Sequence, residues 1–459
     1  MLLKGKKVLV LGLGDTGLSM TRWLARQGAV VSAADTRDTP PHAPLLAREL
    51  PDVRVSAGAF RRDDFAHIDM IAVSPGVDPR VGELAAALKR GVPVVGDVEL
   101  FAKALQVGNA TPEVIAITGS NGKSTVTAMC GAMCVAAGRD TVMAGNIGLP
   151  VLDVLTEIED GTRVMPDTFV LELSSFQLET TVSLAPVAAT MLNLSEDHLD
   201  RYDSYADYGA TKARIFDGGG VQVLNRDDEH SLAMWRARRR MTTFGLSAPL
   251  SRDEWGLSGV QDTLSLAQGE ATLMRVAELP LAGLHNAVNA LAAAALCNAA
   301  GVPHTAITGA LRAFKGLPHR VENINKINNI TFFDDSKGTN VGATVAALRG
   351  MQQPVVLIAG GDGKGQDFAP LAAVAARARA VVLIGRDANL IARAIEATGV
   401  TLLRAGDMFD AVDVAYRAAR PGDAVLLSPA CASYDMFRSY VHRAEVFVEA
   451  VSQLARRVS

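Results

Sequence analysis

The stretch VIAITGSNGKST, residues 114–125, sets Gly119 and Gly122 directly ahead of Lys-Ser-Thr. Glycines let a backbone close around oxygen atoms, a lysine offers positive charge to terminal phosphates, and a hydroxyl at a helix start can hold Mg²⁺. The usual mononucleotide loop separates its two glycines by four residues; here only Ser120 and Asn121 intervene, and Ile117 stands where the longer loop needs glycine. An apolar strand enters the loop, and Val126, Met129, Cys130, Met133 and Ala137 repeat along one helical face behind it. Gly119, Ser120, Asn121, Gly122, Lys123, Ser124 and Thr125 therefore form a candidate ATP-phosphate site.

Mg²⁺ demands oxygen ligands, so acids should follow at strand ends. Glu172 in VLELSSFQ lies in an otherwise apolar strand, where an unpaired carboxylate would be costly, and a metal ligand is the natural reading. His198 in NLSEDHLDRY stands among Glu196, Asp197 and Asp200 after another apolar strand and is a second candidate. Lys212, in ATKARIF, reads on its own as a solvated helix lysine. A further glycine loop, GLGDTG from Gly12 to Gly17, joins a strand to a helix, and Asp35 ends the next strand. Taken alone this pattern fits NAD and an oxidoreductase. Any diphosphate can use the same backbone N–H groups, and nothing downstream resembles a hydride-transfer site.

The elements that must carry these residues repeat a strand–helix rhythm three times. KKVLVLG, AVVSAAD, DMIAVSPG and VPVVGD read as buried parallel strands of a first section, 1–96. A central section, 97–316, holds the phosphate loop, the strands TFVLEL, VAATMLNL and VQVLN, hairpins over 257–279, and an Ala-rich helix stopped by Gly301 and Pro303. ITFFDD, PVVLIAGG, AVVLIG and AVLLSP continue the rhythm in a third section, 317–459. The fold class is α/β, with three consecutive α/β domains: Rossmann-like, P-loop-type and Rossmann-like. Lys and Arg number 45 against 49 Asp and Glu, so no bulk field recruits nucleic acid or an anionic membrane. No apolar run approaches the ~20 residues that span a bilayer. Four cysteines without a C-x-x-C pair, with Cys130 and Cys134 one helical turn apart, read as reduced, buried packing. A soluble cytoplasmic protein, monomeric, is the expectation.

The set GSNGKST, ELSSFQLE, NLSEDHLDRY, KARIF and GLHNAVNALAA, with GDVELF, FFDDSKGTNVGAT, GGDGKGQDF and LLSPACASYDMF, resembles the Mur ligase superfamily of ATP-dependent amide-forming enzymes over essentially the whole chain. Within it the likeness is to the branch that adds D-glutamate to UDP-N-acetylmuramoyl-L-alanine. The resemblance implies that ATP phosphorylates the alanyl carboxylate and that the glutamate amine then attacks the acyl phosphate. It implies two Mg²⁺ ions, one at Ser124 and Glu172 and one near His198 and Lys212, with Lys212 converted by CO₂ into a carbamate. Lys123, His198 and Lys212 would be catalytic.

By the same resemblance Asn286 and Asn289 lie near adenine, Arg320 closes onto the γ-phosphate, and Asp335 serves the adenine ribose. Asp15, Thr16, Asp35, Thr36, Arg37, Ser74 and Gly76 would hold the uridine diphosphate, and Asn146, Ser174 and Gln177 the rest of that substrate. Lys337 and Lys364 would take the carboxylates of glutamate, with Thr339 and Ser433 as donors, Asp362 orienting the lysines and Tyr440 at the rim. The residues accommodate another amino acid, such as L-glutamate, as an alternative.

Overall fold

The computed structural model describes residues 3–80, 82–108, 111–197, 201–260, 263–281, 283–351 and 353–458. His198, expected at the metal, lies outside them. Among the described residues there are three sheets. The first contains β1 (Lys7–Leu11), β2 (Val30–Asp35), β3 (Arg54–Ala57), β4 (Met70–Val73) and β5 (Val94–Val95), all parallel in the order β3-β2-β1-β4-β5.

The second sheet has β6 (Glu113–Thr118), β7 (Thr141–Gly145), β8 (Thr168–Glu172), β9 (Ala188–Met191), β10 (Val221–Asn225), β11 (Met241–Phe244), β12 (Glu254–Ser258), β13 (Ser265–Gln268) and β14 (Ala271–Arg275). Its order is β14-β13-β12-β11-β10-β9-β6-β8-β7, parallel from β7 to β12 and antiparallel over β12–β14. The third sheet joins β15 (Glu322–Ile327), β16 (Ile330–Asp334), β17 (Val355–Gly360), β18 (Ala380–Ile384), β19 (Thr401–Arg404) and β20 (Ala424–Leu427) in the order β15-β16-β20-β17-β18-β19. Only the β15–β16 pair in it is antiparallel.

Parallel strands covered on both faces read as unbroken apolar runs. This is why Ile115, Ala116 and Ile117 of β6 are fully buried. One face of the central sheet packs against the helices Lys123–Ala136 and Leu284–Ala299, through Val126, Met129, Met133 and Leu291. The other face merges with the first section in one apolar cluster that runs from Val8 and Trp23 through Phe101 to Phe169. Phe101, on the connecting helix Asp97–Val107, meets Phe169 of β8 edge-on with centroids 4.9 Å apart. The four cysteines are buried and unpaired, in accord with the packing role expected of them.

The third section meets the central one through polar and close-packed contacts. Arg320 Nη2 donates to Ser124 Oγ at 2.8 Å, and Lys364 Nζ to Asp197 Oδ1 at 3.1 Å. The helix Val341–Gly350 ends against the His285 ring: a Cβ at Gly350 would lie 2.6 Å from His285 Cε1, and one at Gly283 2.7 Å from it.

The first glycine loop is shaped by backbone contact. Gly12 has φ +85°, and a Cβ at Gly17 would sit 1.7 Å from the Gly12 carbonyl oxygen. Gly14 has open space around it. Gly17→Ala should therefore destabilise the protein by about 2 kcal/mol or more, while Gly14→Ala stays within about 1 kcal/mol, as read from denaturation midpoints.

Candidate active site

β6 delivers the chain into Gly119 (φ +149°) and Gly122 (φ +86°), the latter in the left-handed region that favours glycine. A side chain at 122 would also collide with Asn289, whose Oδ1 lies 2.7 Å from the Cβ position. The loop is tied to the segment after β9. Asn121 N–H donates to Asn193 Oδ1 at 2.9 Å, Ser120 Oγ to the Ser195 carbonyl at 3.0 Å, and Ser195 N–H to Ser120 Oγ at 2.9 Å.

Lys123 Nζ turns back to donate to the carbonyls of Gly119 (2.8 Å) and Ser120 (3.0 Å). Lys212 Nζ donates to the same Gly119 carbonyl at 3.1 Å. Lys212 is 1% exposed, so its reading from sequence as a solvated lysine is overturned. The residue hangs from the helix Tyr205–Ala213, capped by Ser204, which points it beneath the phosphate loop. Burial, and then the neighbouring Lys123 charge, holds the Lys212 ammonium well below its ordinary pKa, against the pull of Asp197 and Glu172. Burial also lowers Lys123, with Glu172 and Asp197 opposing.

Glu172 ends β8 and is 2% exposed. Its Oε1 accepts from Asn146 Nδ2 at 2.8 Å, while Oε2 is buried with no partner among the described residues. A divalent cation suits that oxygen, because an orphaned buried carboxylate oxygen is costly and Mg²⁺ takes oxygen ligands. Ser124, at the start of the helix behind the loop, accepts from Arg320 through its Oγ. Asn146, expected against the substrate, is here engaged with Glu172.

A cavity of about 440 Å³ lies between the central and third sections, lined by Asn121, Gly122, Thr125, Asn286, Asn289, Arg320, Asp335 and Lys337. Leu246, Leu281 and Leu317 give it apolar walls that no sequence signal marked. Asn289 Nδ2 donates to Asn286 Oδ1 at 3.4 Å. Ser428 Oγ donates to Asp335 Oδ2 at 2.6 Å, and burial raises the Asp335 carboxyl to about 7.

On the amino-acid side, Lys337 Nζ sits 3.9 Å from the centroid of the Tyr440 ring, a cation–π pair. Lys364 takes a positive φ of +51°, its N–H donates to Asp362 Oδ1 at 3.0 Å, and its ammonium pairs with Asp197. Thr339 turns back on the loop, its N–H donating to the Lys337 carbonyl at 2.9 Å. Ser433 is buried and its carbonyl accepts from Met436 and Phe437. Sequence reasoning missed Arg443: it is buried, and donates to Ser336 Oγ (3.0 Å), the Ser336 carbonyl (2.8 Å) and the Cys431 carbonyl (3.1 Å), joining the two loops that carry Lys337 and Ser433.

A second cavity, about 790 Å³, opens where the strands of the first sheet end. Asp15, Thr16, Asp35, Thr36, Arg37, Ser74, Gly76, Asn146 and Gln177 line it, so the expected uridine-diphosphate residues come together. Two of them behave otherwise than expected. Asp35 is saturated: Oδ2 accepts from Leu13 N–H (2.6 Å) and Arg37 Nη2 (2.6 Å), and Oδ1 from Arg37 Nε (2.8 Å) and N–H (2.9 Å). The Arg37 guanidinium holds this carboxyl down at about 2. Asp35 anchors Arg37 and the glycine loop, leaving Arg37 as the group that can face a phosphate. The Asp15 carboxylate is exposed and pairs with His42 Nε2 at 2.8 Å. Ser174 is absent from this wall; it caps the short helix Ser175–Leu178 through the Gln177 N–H, and the Gln177 amide returns to the Ser174 N–H.

Residues 6–96 match a model of the MurD-like N-terminal domain of Mur ligases, 117–297 the Mur ligase middle domain and 319–431 the Mur ligase glutamate ligase domain. A UDP-N-acetylmuramoylalanine--D-glutamate ligase of Thiobacillus denitrificans is 59% identical over 99% of this chain and 97% of its own. The chain belongs to the Mur ligase family. A relative of the same name from Nitrosomonas europaea is 53% identical, with 99% and 97% of the two chains covered. Among solved structures, the fold is shared by a pseudomurein peptide ligase type C from Methanothermus fervidus (TM-score 0.60, 18% identity, 98% of this chain and 100% of that one). The UDP-N-acetylmuramate-alanine ligase of Thermotoga maritima has it too (TM-score 0.60, 19% identity, 97% and 99%). No helix among the described residues is long and apolar enough to cross a membrane.

The Asp335 carboxyl gives this Mur ligase a pH signature. Its folded pKa of about 7 lies above the unfolded value of ~3.9, so between those values the folded state holds the extra proton and stability falls as pH rises. Above the folded pKa the loss is complete. Asp335→Asn keeps an acceptor for Ser428 and should flatten that part of the stability profile between about pH 4 and 7, measured by denaturation across pH.

Proposed function

We propose that this ligase joins D-glutamate to UDP-N-acetylmuramoyl-L-alanine at the expense of ATP, in the cytoplasm, as a step of peptidoglycan-precursor synthesis. The names of two relatives, 59% and 53% identical over nearly the whole of both chains, support the substrate pair. The observation that carries the reaction type is the junction at Glu172. Asn146 lines the sugar-nucleotide cavity and holds Glu172 from that side, while the charge of Lys123, from the phosphate loop, acts on the same carboxylate.

A carboxylate is a poor acylating agent because oxide is a poor leaving group. Transfer of the γ-phosphoryl converts the alanyl carboxylate into an acyl phosphate, and the glutamate amine attacks its carbonyl carbon, expelling phosphate. The chain's work is positioning and charge neutralisation. The phosphate-loop N–H groups and Lys123 cradle the terminal phosphates, and Arg320 leaves Ser124 to meet them. Lys337 and Lys364 supply cations for a dicarboxylate, Lys364 exchanging Asp197 for the substrate. Mg²⁺, held by Ser124 and Glu172, would neutralise phosphate charge when bound; His198 is the candidate for a second ion.

Lys212 fits the carbamate reading. An ammonium has only donors and cannot ligate a cation. Its lowered pKa raises the share of neutral amine, the form that adds CO₂, and the resulting anion would sit beside Lys123 in place of a second positive charge. An NAD-dependent reading finds no support, since Asp35, the residue it needs for the ribose, is saturated by Arg37 and Leu13.

A coupled ADP-release assay with UDP-N-acetylmuramoyl-L-alanine and a panel of D- and L-amino acids tests the assignment. ADP should appear only with D-glutamate; release with L-glutamate alone reverses the chirality, and release with no amino acid refutes the ligase. Lys337→Glu should raise the glutamate KM by about 100-fold or more while leaving ATP binding within a few fold. Lys212→Arg keeps the charge but cannot carry a carbamate, and should cut kcat by about 100-fold or more. The wild type under ¹³CO₂ should show one enriched carbamate resonance that this variant lacks.

A further inference from the structure

The motif GDVELF opens the connecting helix Asp97–Val107, and its two acids have different surroundings. Glu99, 3% exposed, is saturated. Its Oε2 accepts from the N–H groups of Val182 and Ser183, both at 2.7 Å. Its Oε1 accepts from Ser183 Oγ at 2.7 Å and pairs with Lys103 Nζ at 3.1 Å. That acid clamps the connecting helix to the segment after the short helix Ser175–Leu178. Asp97, 2% exposed, is only half satisfied. Its Oδ2 accepts from Gln177 Nε2 at 3.3 Å, and its Oδ1 is buried with no partner among the described residues. Burial raises its carboxyl to about 6, so at neutral pH it is an anion that can only accept. Burying such a group is costly, and attraction to the helix start would be available to an exposed acid as well.

The partner of Asp97 faces the substrate. Gln177 is 3% exposed and lines the sugar-nucleotide cavity. Its backbone is held, the N–H donating to Ser174 Oγ at 3.2 Å and the carbonyl accepting from Thr181 Oγ1 at 2.7 Å. Its side-chain Oε1 accepts from the Ser174 N–H at 3.2 Å and from Ser174 Oγ at 3.3 Å, which uses both lone pairs. Of the two hydrogens on Nε2 one goes to Asp97, and the other has no partner among the described residues. The two ends of an amide are alike in shape, so their partners decide which way it points. A carboxylate at one end and a backbone N–H at the other admit one orientation. What that orientation leaves for a ligand is a single N–H donor. The junction runs close to this segment, since a Cβ at Gly96 would collide with Thr180 Oγ1.

We infer that Asp97 is a positioning residue for the sugar nucleotide: by accepting from Gln177 Nε2 it fixes the amide so that Gln177 offers a donor to an oxygen of that substrate. Without the carboxylate the amide is anchored at one end only, and its free N–H loses its direction. The inference rests on the proposed reaction for the identity of the substrate.

The test is a double-mutant cycle on the full-length protein. The Kd of UDP-N-acetylmuramoyl-L-alanine and the KM of each of the three substrates are measured for wild type, Asp97→Ala, Asp97→Asn, Gln177→Ala and the double alanine variant. Asp97→Ala should raise the Kd and KM of the sugar nucleotide by about tenfold, the scale of one hydrogen bond. It should leave kcat and the KM values of ATP and glutamate within about threefold. Asp97→Asn keeps an acceptor for Nε2 and should recover most of the affinity. In the Gln177→Ala background, Asp97→Ala should change the Kd by less than about twofold, because the two residues act as a unit. Asp97→Leu fills the same space without an acceptor and serves, with the same expectations, if Asp97→Ala does not fold.

An unchanged sugar-nucleotide Kd in Asp97→Ala overturns the inference. So does an effect of full size in the Gln177→Ala background, which would free Asp97 from any dependence on that amide. A lowered melting temperature with all three KM values raised alike does the same, by making Asp97 merely structural. Asp97→Asn as damaging as Asp97→Ala also overturns it, since charge rather than the accepted hydrogen bond would then matter. Wild-type ADP release with all substrates, run in parallel, separates these outcomes from failure of the ligase reading, which requires an inactive wild type.

Discussion

Two lysine side chains converge on one carbonyl oxygen, that of Gly119, at 2.8 Å and 3.1 Å. In a buried setting two ammonium groups that share an acceptor repel: burial first, and then the Lys123 charge, lowers the pKa of Lys212, and burial lowers that of Lys123. The surroundings are arranged around this conflict. Glu172 ends its strand with an oxygen that has no partner among the described residues, and Asp197 approaches from the segment that the phosphate loop itself bonds. Anionic phosphates, a divalent ion held by oxygen ligands, and an acidic group in place of one ammonium would each relieve a part of it. Anionic ligands and a divalent ion would therefore balance charges that the described residues leave opposed.

The joints between sections differ in kind. The first and central sections share a continuous apolar cluster, with Phe101 and Phe169 at its middle. Removing such surface from water is favourable and non-directional, and separating it again is costly. The third section is held instead by a few directional pairs, Arg320 with Ser124 and Lys364 with Asp197. Both pairs include groups to which the proposed reaction assigns other partners: Arg320, Ser124 and Lys364. A polar joint whose members double as substrate contacts can exchange partners with little apolar surface exposed, which suits a part that must move.

Much of this was legible in the chain. The phosphate loop was readable because its constraint is local: glycines at fixed spacing, then lysine and hydroxyls, between a strand and a helix. Glu172 was readable because a carboxylate in an apolar strand contradicts its surroundings. Other residues were hidden because their meaning depends on what the fold brings near. Lys212 looks like any helix lysine until the central sheet places it beneath Gly119, 93 residues away in sequence. Asp35 stands where a ribose acid is expected, but Arg37, only two residues on, claims both its oxygens. Arg443 carries no signature, because two of its three partners are backbone carbonyls, which every residue possesses.

At the meeting of helix Val341–Gly350 with the central section, the imidazole of His285 lies against two alpha carbons bearing only hydrogens, those of Gly283 and Gly350. Gly283 has a positive φ of +93°, whereas Gly350 belongs to an α-helix that any residue could occupy. Backbone conformation therefore accounts for the first glycine and not for the second. What forbids bulk at 350 is a ring belonging to a different folding unit, visible only once the two are docked. Substitution there should leave each unit intact in isolation and appear as a wedge, tilting one against the other. The histidine and the helical glycine form a matched pair, and a descendant that enlarges one must trim the other.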